Sequence, residues 1–326
     1  MNGRLEKEIM AENKMKEKLS TLPEIFSEYY IYMRASKKTY TTINTYINYI
    51  IHFVKFIYKS DIPDDFYKNV KVSDIENYLI SLEARNVNGQ LVRTGSDIQC
   101  TRWSGINAFF EFLVKRNYIT SNPVLKTTRP KNTTEHTVTY LTKSEIKKIM
   151  NQIDKNSSQV VALRDRTIIA LALSTGMRVG AITNLNISDI NFEEHIINVI
   201  EKGNKIRQIS IGDNIVALLQ DWVSMREKVF TDIDTNALFV SQKKCRITSK
   251  AVGDMIKRYT ASAGINKHIT PHKFRSSAAT NLAAAGVSIQ AIAKQLGHSN
   301  VSVTQRYLDV LKEEKEKTVK VLDNLF

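Results

Sequence analysis

The sequence predicts a mainly α-helical protein with one small β-element, an α+β fold, on three observations. Apolar residues recur at helical spacing through most of the chain. Only the stretch from Ile196 to Ile211 changes to strand-like alternation. With 12 Gly and 5 Pro in 326 residues, few breakers interrupt the helical segments. Apolar residues make up 42% of the chain and charged residues 25%, enough to bury a core and too apolar for a disordered or collagen-like polymer.

From Thr41, the residues Ile43, Tyr46, Ile47, Ile50, Phe53, Val54 and Ile57 follow the i, i+3, i+4, i+7 rhythm of an amphipathic helix. Ser73 with Glu76 three residues later reads as a capping box that opens a second helix through Tyr78, Leu79 and Leu82. A third long helix carries Ile106, Phe109, Phe110 and Leu113, so residues 21–125 are expected to form a small all-helical domain. A charged segment, residues 1–20, precedes it, and Leu5 to Leu19 is compatible with a further helix. After Ile119-Thr120-Ser121-Asn122-Pro123, residues 126–140 are rich in Thr and charge, contain Pro130 and lack periodicity, which predicts a linker.

A second domain, residues 141–326, opens with the capping box Thr142/Glu145 and runs into Ile146, Ile149 and Met150. Arg164 to Leu173 is a second helix, packed with apolar residues and stopped at Gly176. Ile196, Ile197, Val199 and Ile200, then Lys202-Gly203-Asn204-Lys205, then Ile209 and Ile211 form a β-hairpin whose tip carries Lys202 or Lys205. The remainder reads as helical, with Gly264, Gly286 and Gly297 placed where helices end, and 311–326 forms a last short helix with Val319, Leu322, Leu325 and Phe326 on one edge.

The formal charge is +14, and it is not confined to a tail: residues 1–140 carry 20 basic and 15 acidic side chains, residues 141–326 carry 27 and 18. Both halves are suited to a polyanion. Cys100 and Cys245 are the only cysteines, too few for a disulfide framework or a Cys-based zinc site, which fits a reducing cytoplasm. No apolar run approaches the roughly 20 residues of a membrane span, and Arg4, Glu6, Lys7 and Glu8 replace an apolar secretory core. A cytoplasmic protein with no membrane partner is expected.

Single Arg, His or Tyr residues attract little notice, but one ordered set stands out. Thr175-Gly176-Met177-Arg178 closes an apolar helix, and Lys202 follows on the hairpin. His272-Lys273-Phe274-Arg275 sets a His and an Arg on one helical face, Leu296-Gly297-His298 places a second His past a helix end, and Tyr307 follows in Gln305-Arg306-Tyr307-Leu308. In this set, and in Tyr118-Ile119-Thr120-Ser121-Asn122-Pro123, the sequence resembles the tyrosine recombinase (phage integrase) family from about residue 20 to the C-terminus.

The resemblance implies a helical SAM-like core-binding domain and a tyrosine-recombinase catalytic domain forming a C-shaped DNA clamp. It implies a site made of Arg178, Lys202, His272, Arg275, His298 and Tyr307. Two planar guanidiniums, Arg178 and Arg275, suit the charge that builds on a phosphodiester's non-bridging oxygens. Tyr307, a phenol with a pKa of about 10, needs a proton acceptor, and His272 is the candidate. Lys202, with Lys205 as the alternative, protonates the departing 5′-oxygen, and His298 donates a hydrogen bond to the phosphate. A covalent 3′-phosphotyrosine conserves the bond energy through a Holliday junction, so the resemblance implies no metal, ATP or other cofactor. The implied partners are double-stranded DNA with inverted-repeat core sites and a homotetramer formed on DNA by exchange of the C-terminal helix.

The sequence departs from the family at one point. Arg178-Val179-Gly180 is followed by Ala181, where an acidic residue is usual. With all six primary residues retained, a variant active site is expected, in an enzyme that integrates or excises a mobile element. The alternatives are a Xer-like resolvase of chromosome or plasmid dimers, a relaxing enzyme resembling type IB topoisomerases, and a non-catalytic DNA-binding clamp. With some 20 residues before the first domain, the arm-type DNA-binding domain of larger integrases is not expected.

Overall fold

A computed structural model describes residues 3–59, 61–87, 89–133, 138–155, 158–200, 206–231, 236–297, 304–307 and 309. The chain divides into two compact units, Met1–His136 and Thr137–Phe326. Among the described residues no helix is long and apolar enough to cross a membrane.

The first unit is built on five helices: α1 (Gly3–Leu19), α2 (Glu24–Ala35), α3 (Tyr40–Tyr58), α4 (Val72–Ser81) and α5 (Ser96–Lys115). The Thr39 hydroxyl caps α3 by accepting from the Thr42 amide, and α3 buries Ile43, Ile47, Ile50, Phe53 and Val54 along the predicted stripe. Helix α5 crosses close to α3 at Gly105, where an added Cβ would meet Tyr49 Cδ2 at 2.6 Å. Phe26, Phe66 and Phe109 stack in the centre, and Tyr29 meets Phe109 edge-on at 5.1 Å, so aromatic packing holds this core. The charged N-terminal segment is a helix that buries Met15 and Leu19 in the same core.

Two local expectations need correction. Helix α4 starts at Val72, and its first turn is closed by the Asp74 carboxylate accepting from the Lys71 amide at 2.8 Å, so the Ser73/Glu76 pair is not its cap. Ser73 lies inside the first turn, where its hydroxyl is past the capping position. The unit is also not all-helical. β1 (Ala84–Val87) and β2 (Gln90–Arg93) form an antiparallel hairpin that turns at Gly89, with φ +85°. All four residues of β2 are exposed, Leu91 at 79%, so no buried face imprints a two-residue period on it, and the Asn-Gly dipeptide in the sequence was the available signal.

The second unit contains α6 (Lys143–Asp154), α7 (Gln159–Thr175) and α8 (Val179–Asn184), followed by β3 (Ile190–Asn191), β4 (Ile196–Ile200) and β5 (Ile206–Ser210). Helices α9 (Asp213–Val229), α10 (Ser249–Ser262), α11 (Pro271–Ala284) and α12 (Ile289–Leu296) follow, and residues 304–307 are helical. The capping box forms as read: Thr142 Oγ1 accepts from the Glu145 amide and the Glu145 carboxylate accepts from the Thr142 amide. β4 and β5 pair antiparallel with Ile197 opposite Ile209, and the short β3, absent from the sequence reading, extends the hairpin to three strands in the order β3-β4-β5. The apolar α7 lies in the middle of the core, against α9 on one side and α11 on another. Its one fully buried carboxylate, Asp165, is satisfied by Arg164 and by the Tyr259 hydroxyl at 3.0 Å. The predicted C-terminal helix, 311–326, lies outside the described residues.

Candidate active site

Helix α7 ends at Gly176, whose φ of +64° is the left-handed conformation that favours glycine. Thr175 and Met177 on either side are both 1% exposed, and the Met177 amide donates to Thr175 Oγ1. The turn is therefore sunk into the core, and the first side chain to emerge is Arg178, exposed at the N-cap of α8. The glycine is required twice over, because a Cβ at Gly176 would collide with Leu296 Cδ2.

Thr270 and Pro271 start α11, with proline at the first helical position where a missing N–H costs nothing. His272 follows in the first turn, and Arg275 lies one turn further on the same face. Arg275 is 2% exposed; its Nη1 donates to the Gly176 carbonyl at 2.9 Å and its Nη2 to the Leu296 carbonyl at 2.7 Å. One guanidinium thus ties the end of α7, the start of α11 and the end of α12 together. A buried charge is costly unless it is hydrogen-bonded, and these two helix-end carbonyls supply that compensation.

The His272 ring reaches solvent, but the surrounding protein displaces much of its hydration, and Arg275, Lys273 and Arg178 add positive charge. Desolvation first, then these cations, hold its pKa below the ordinary histidine value, so the imidazole is neutral and able to accept a proton at pH 7. The fold therefore brings Arg178, His272 and Arg275 into one electrostatic group.

Tyr307 is 6% exposed and belongs to an apolar cluster with Ala279 and Ala283 of α11 and Ile292 and Leu296 of α12. Ala279 lies two turns along α11 from His272. The tyrosine is thus joined to the cationic group through Leu296, whose side chain is in its cluster and whose carbonyl takes Arg275. Lys202, its alternative Lys205, and His298 lie outside the described residues.

Ala181 occupies the third position of α8, partly buried against the core, and its amide donates to the Arg178 carbonyl at 2.8 Å. Among the described residues no side chain caps this helix. Sequence reasoning also missed Arg207 on β5, whose Nη1 donates to the Gln295 carbonyl at 2.8 Å. Its signal was slight: one arginine within the alternating run Ile206 to Ile211.

Two arginines that share an electrostatic environment with one imidazole, and a tyrosine in the apolar cluster of Leu296, are the kind of group that suits transfer of a charged phosphoryl centre. The phage integrase family model matches residues 139–314, and the chain belongs to that family, the tyrosine recombinases, which cleave and rejoin DNA strands. The tyrosine recombinase XerC of Caldanaerobacter subterraneus subsp. tengcongensis is 32% identical over 305 residues, covering 88% of this chain and 83% of the relative. The fold is shared with the XerH site-specific recombinase in its post-cleavage complex with a palindromic difH substrate. That match has a TM-score of 0.70 and 22% identity, and covers 89% of this chain and 82% of the other. It is also shared with the Tn1549 transposon integrase in complex with a circular intermediate DNA, at TM-score 0.66 and 20% identity, over 90% and 99% of the two chains.

Proposed function

We propose that the protein is a site-specific recombinase that acts on double-stranded DNA through Tyr307. The Tyr307 oxygen attacks the scissile phosphorus, the P–O5′ bond breaks, and a 3′-phosphotyrosine forms. His272 takes the phenolic proton, Arg178 and Arg275 hold the non-bridging oxygens, and His298 donates to one of them. Lys202 delivers a proton to the departing 5′-oxygen. The reverse attack by a 5′-hydroxyl from a second duplex rejoins the strand, and two rounds pass through a Holliday junction. Because a phosphoester replaces a phosphoester at each step, the exchange is close to energy-neutral and draws on no ATP or metal.

The observation that carries this reading is the Arg275 guanidinium, fixed by the Gly176 and Leu296 carbonyls beside a His272 kept neutral. The positive charge in both halves of the chain supplies salt-dependent affinity for DNA phosphates. Recombination proceeds in a homotetramer on inverted-repeat core sites, with residues 311–326 exchanged between neighbours, in the cytoplasm. The biological event is integration or excision of a mobile element. A Xer-like dimer resolvase is the second reading, favoured by the 32% identity to a XerC.

The test is covalent capture. Wild-type protein is mixed with nicked fragments of its source genome, denatured in SDS, and the DNA that stays attached is sequenced. Attached fragments sharing one short inverted repeat are expected. An inverted repeat at the ends of an element supports the mobile-element role, and a single chromosomal copy supports the resolvase. Binding with nothing attached would leave a non-catalytic clamp.

A further inference from the structure

Arg207 sits at an unusual place for a charge. It lies on β5 two residues before Ile209, which is 1% exposed, and directly across from Val199 of β4, which is 2% exposed. Residues two apart on a strand share a face, so Arg207 takes the last core-side position before the 201–205 connection that contains Lys202. Its charge is met at the C-terminal end of α12.

The last four carbonyls of a helix have no partner within it, and at α12 each is taken. The Gly297 amide donates to Ala293 and Lys294, Arg207 donates to Gln295 at 2.8 Å, and Arg275 donates to Leu296 at 2.7 Å. Two guanidiniums from different elements thus grip consecutive carbonyls at the negative end of one helix. One belongs to the phosphate-holding group, and the other belongs to the strand that leads out of the Lys202 connection.

We propose that Arg207 is a positioning residue for proton donation: by fixing β5 to the end of α12 it sets the strand pair that carries Lys202 against the site organised by Arg275. The proposal rests on the assignment of Lys202 as the proton donor. In this role Arg207 acts through the Gln295 carbonyl rather than on the substrate. Its removal therefore slows only the step that needs the donor.

The experiment uses a nicked duplex carrying an inverted repeat recovered by covalent capture, made once with the ordinary phosphodiester and once with sulfur in place of the bridging 5′-oxygen. A thiolate leaves without a proton, so the sulfur substrate bypasses the donor. Full-length wild type, Lys202→Ala, Arg207→Ala and Arg207→Lys are compared in covalent adduct rate, DNA affinity and melting temperature. On the oxygen substrate Arg207→Ala is expected to be slower by about 10- to 100-fold, the scale of a misplaced reacting group. Arg207→Lys, which keeps the charge and one donor, falls between it and wild type.

On the sulfur substrate both Arg207 variants and Lys202→Ala return to the wild-type rate. If Lys202→Ala is restored by sulfur while the Arg207 variants are slowed equally on both substrates, the positioning role is overturned and the Lys202 assignment stands. If Lys202→Ala is not restored, the donor assignment fails and the proposal fails with it. Should Arg207→Ala not fold, Arg207→Lys carries the same comparison.

Discussion

Arg275 donates to the carbonyl of Leu296 at 2.7 Å, while the Leu296 side chain closes on Gly176 at one side and lies in the apolar cluster of Tyr307 at the other. A leucine at the end of α12 thus links the Arg275 guanidinium, the Gly176 turn and the apolar cluster of Tyr307. The two arginines, though assigned one chemical task, stand in contrasting surroundings: Arg178 is exposed and, among the described residues, its side chain supports no backbone carbonyl, and Arg275 is buried and ties three elements.

That contrast separates their variants. Arg178→Ala is expected to leave the unfolding midpoint unchanged, and Arg275→Ala to lower stability by about 2–4 kcal/mol, because two buried carbonyls lose a charged donor. Each lowers covalent adduct formation by about 100- to 1,000-fold, by analogy with removal of an oxyanion donor. Urea unfolding beside single-turnover cleavage measures both. A large stability loss in Arg178→Ala, or none in Arg275→Ala, contradicts the structural account.

Gly176→Ala meets two penalties, a left-handed backbone and a clash with Leu296 Cδ2. The expected loss is about 2–4 kcal/mol from strain and overpacking together. Adding Leu296→Ala relieves the clash but not the backbone, so in the Gly176→Ala background this second change costs less than it does alone. A double-mutant cycle by denaturant titration reads that coupling. Strict additivity would show that the two residues do not press on each other.

The depressed pKa of His272 sets the sign of the pH dependence. The folded protein favours the neutral imidazole, so this group's contribution to stability is fully present above its unfolded value of about 6.5 and is lost as pH falls through the lower folded value. The acceptor follows the same course. The rate of adduct formation should hold steady as pH falls to about 6.5 and decline only below it, and His272→Gln should abolish that decline along with most of the rate. A wild-type decline centred above the ordinary histidine value would contradict it.

The helices of both units were legible because each buries one stripe: Ile43, Ile47, Ile50 and Val54 in α3, and Ile149 and Ile153 in α6. The β4–β5 hairpin was legible for the same reason at a two-residue period, though its register was not. The β1–β2 hairpin and β3 were not, since β2 is exposed along its length and β3 is only two residues long, too little for any periodicity to register.

The residue types of the site were readable from motif order, but not the structural work they do. Nothing in His-Lys-Phe-Arg says that Arg275 will be buried on two helix-end carbonyls, because Gly176 and Leu296 are 99 and 21 residues away in sequence. The same holds for Arg207, 88 residues from the carbonyl it grips.

The central claim is that Tyr307 forms the covalent bond to DNA, and identifying the attached residue tests it most directly. Wild type and Tyr307→Phe are incubated with a nicked duplex containing a captured inverted repeat, denatured and digested with protease and nuclease, and the nucleotide-bearing peptide is sequenced by mass spectrometry. The account predicts a 3′-phosphonucleotide on Tyr307 in the wild type, and normal DNA binding with no adduct in Tyr307→Phe. A nucleotide on any other residue, or an adduct that survives in Tyr307→Phe, would contradict it.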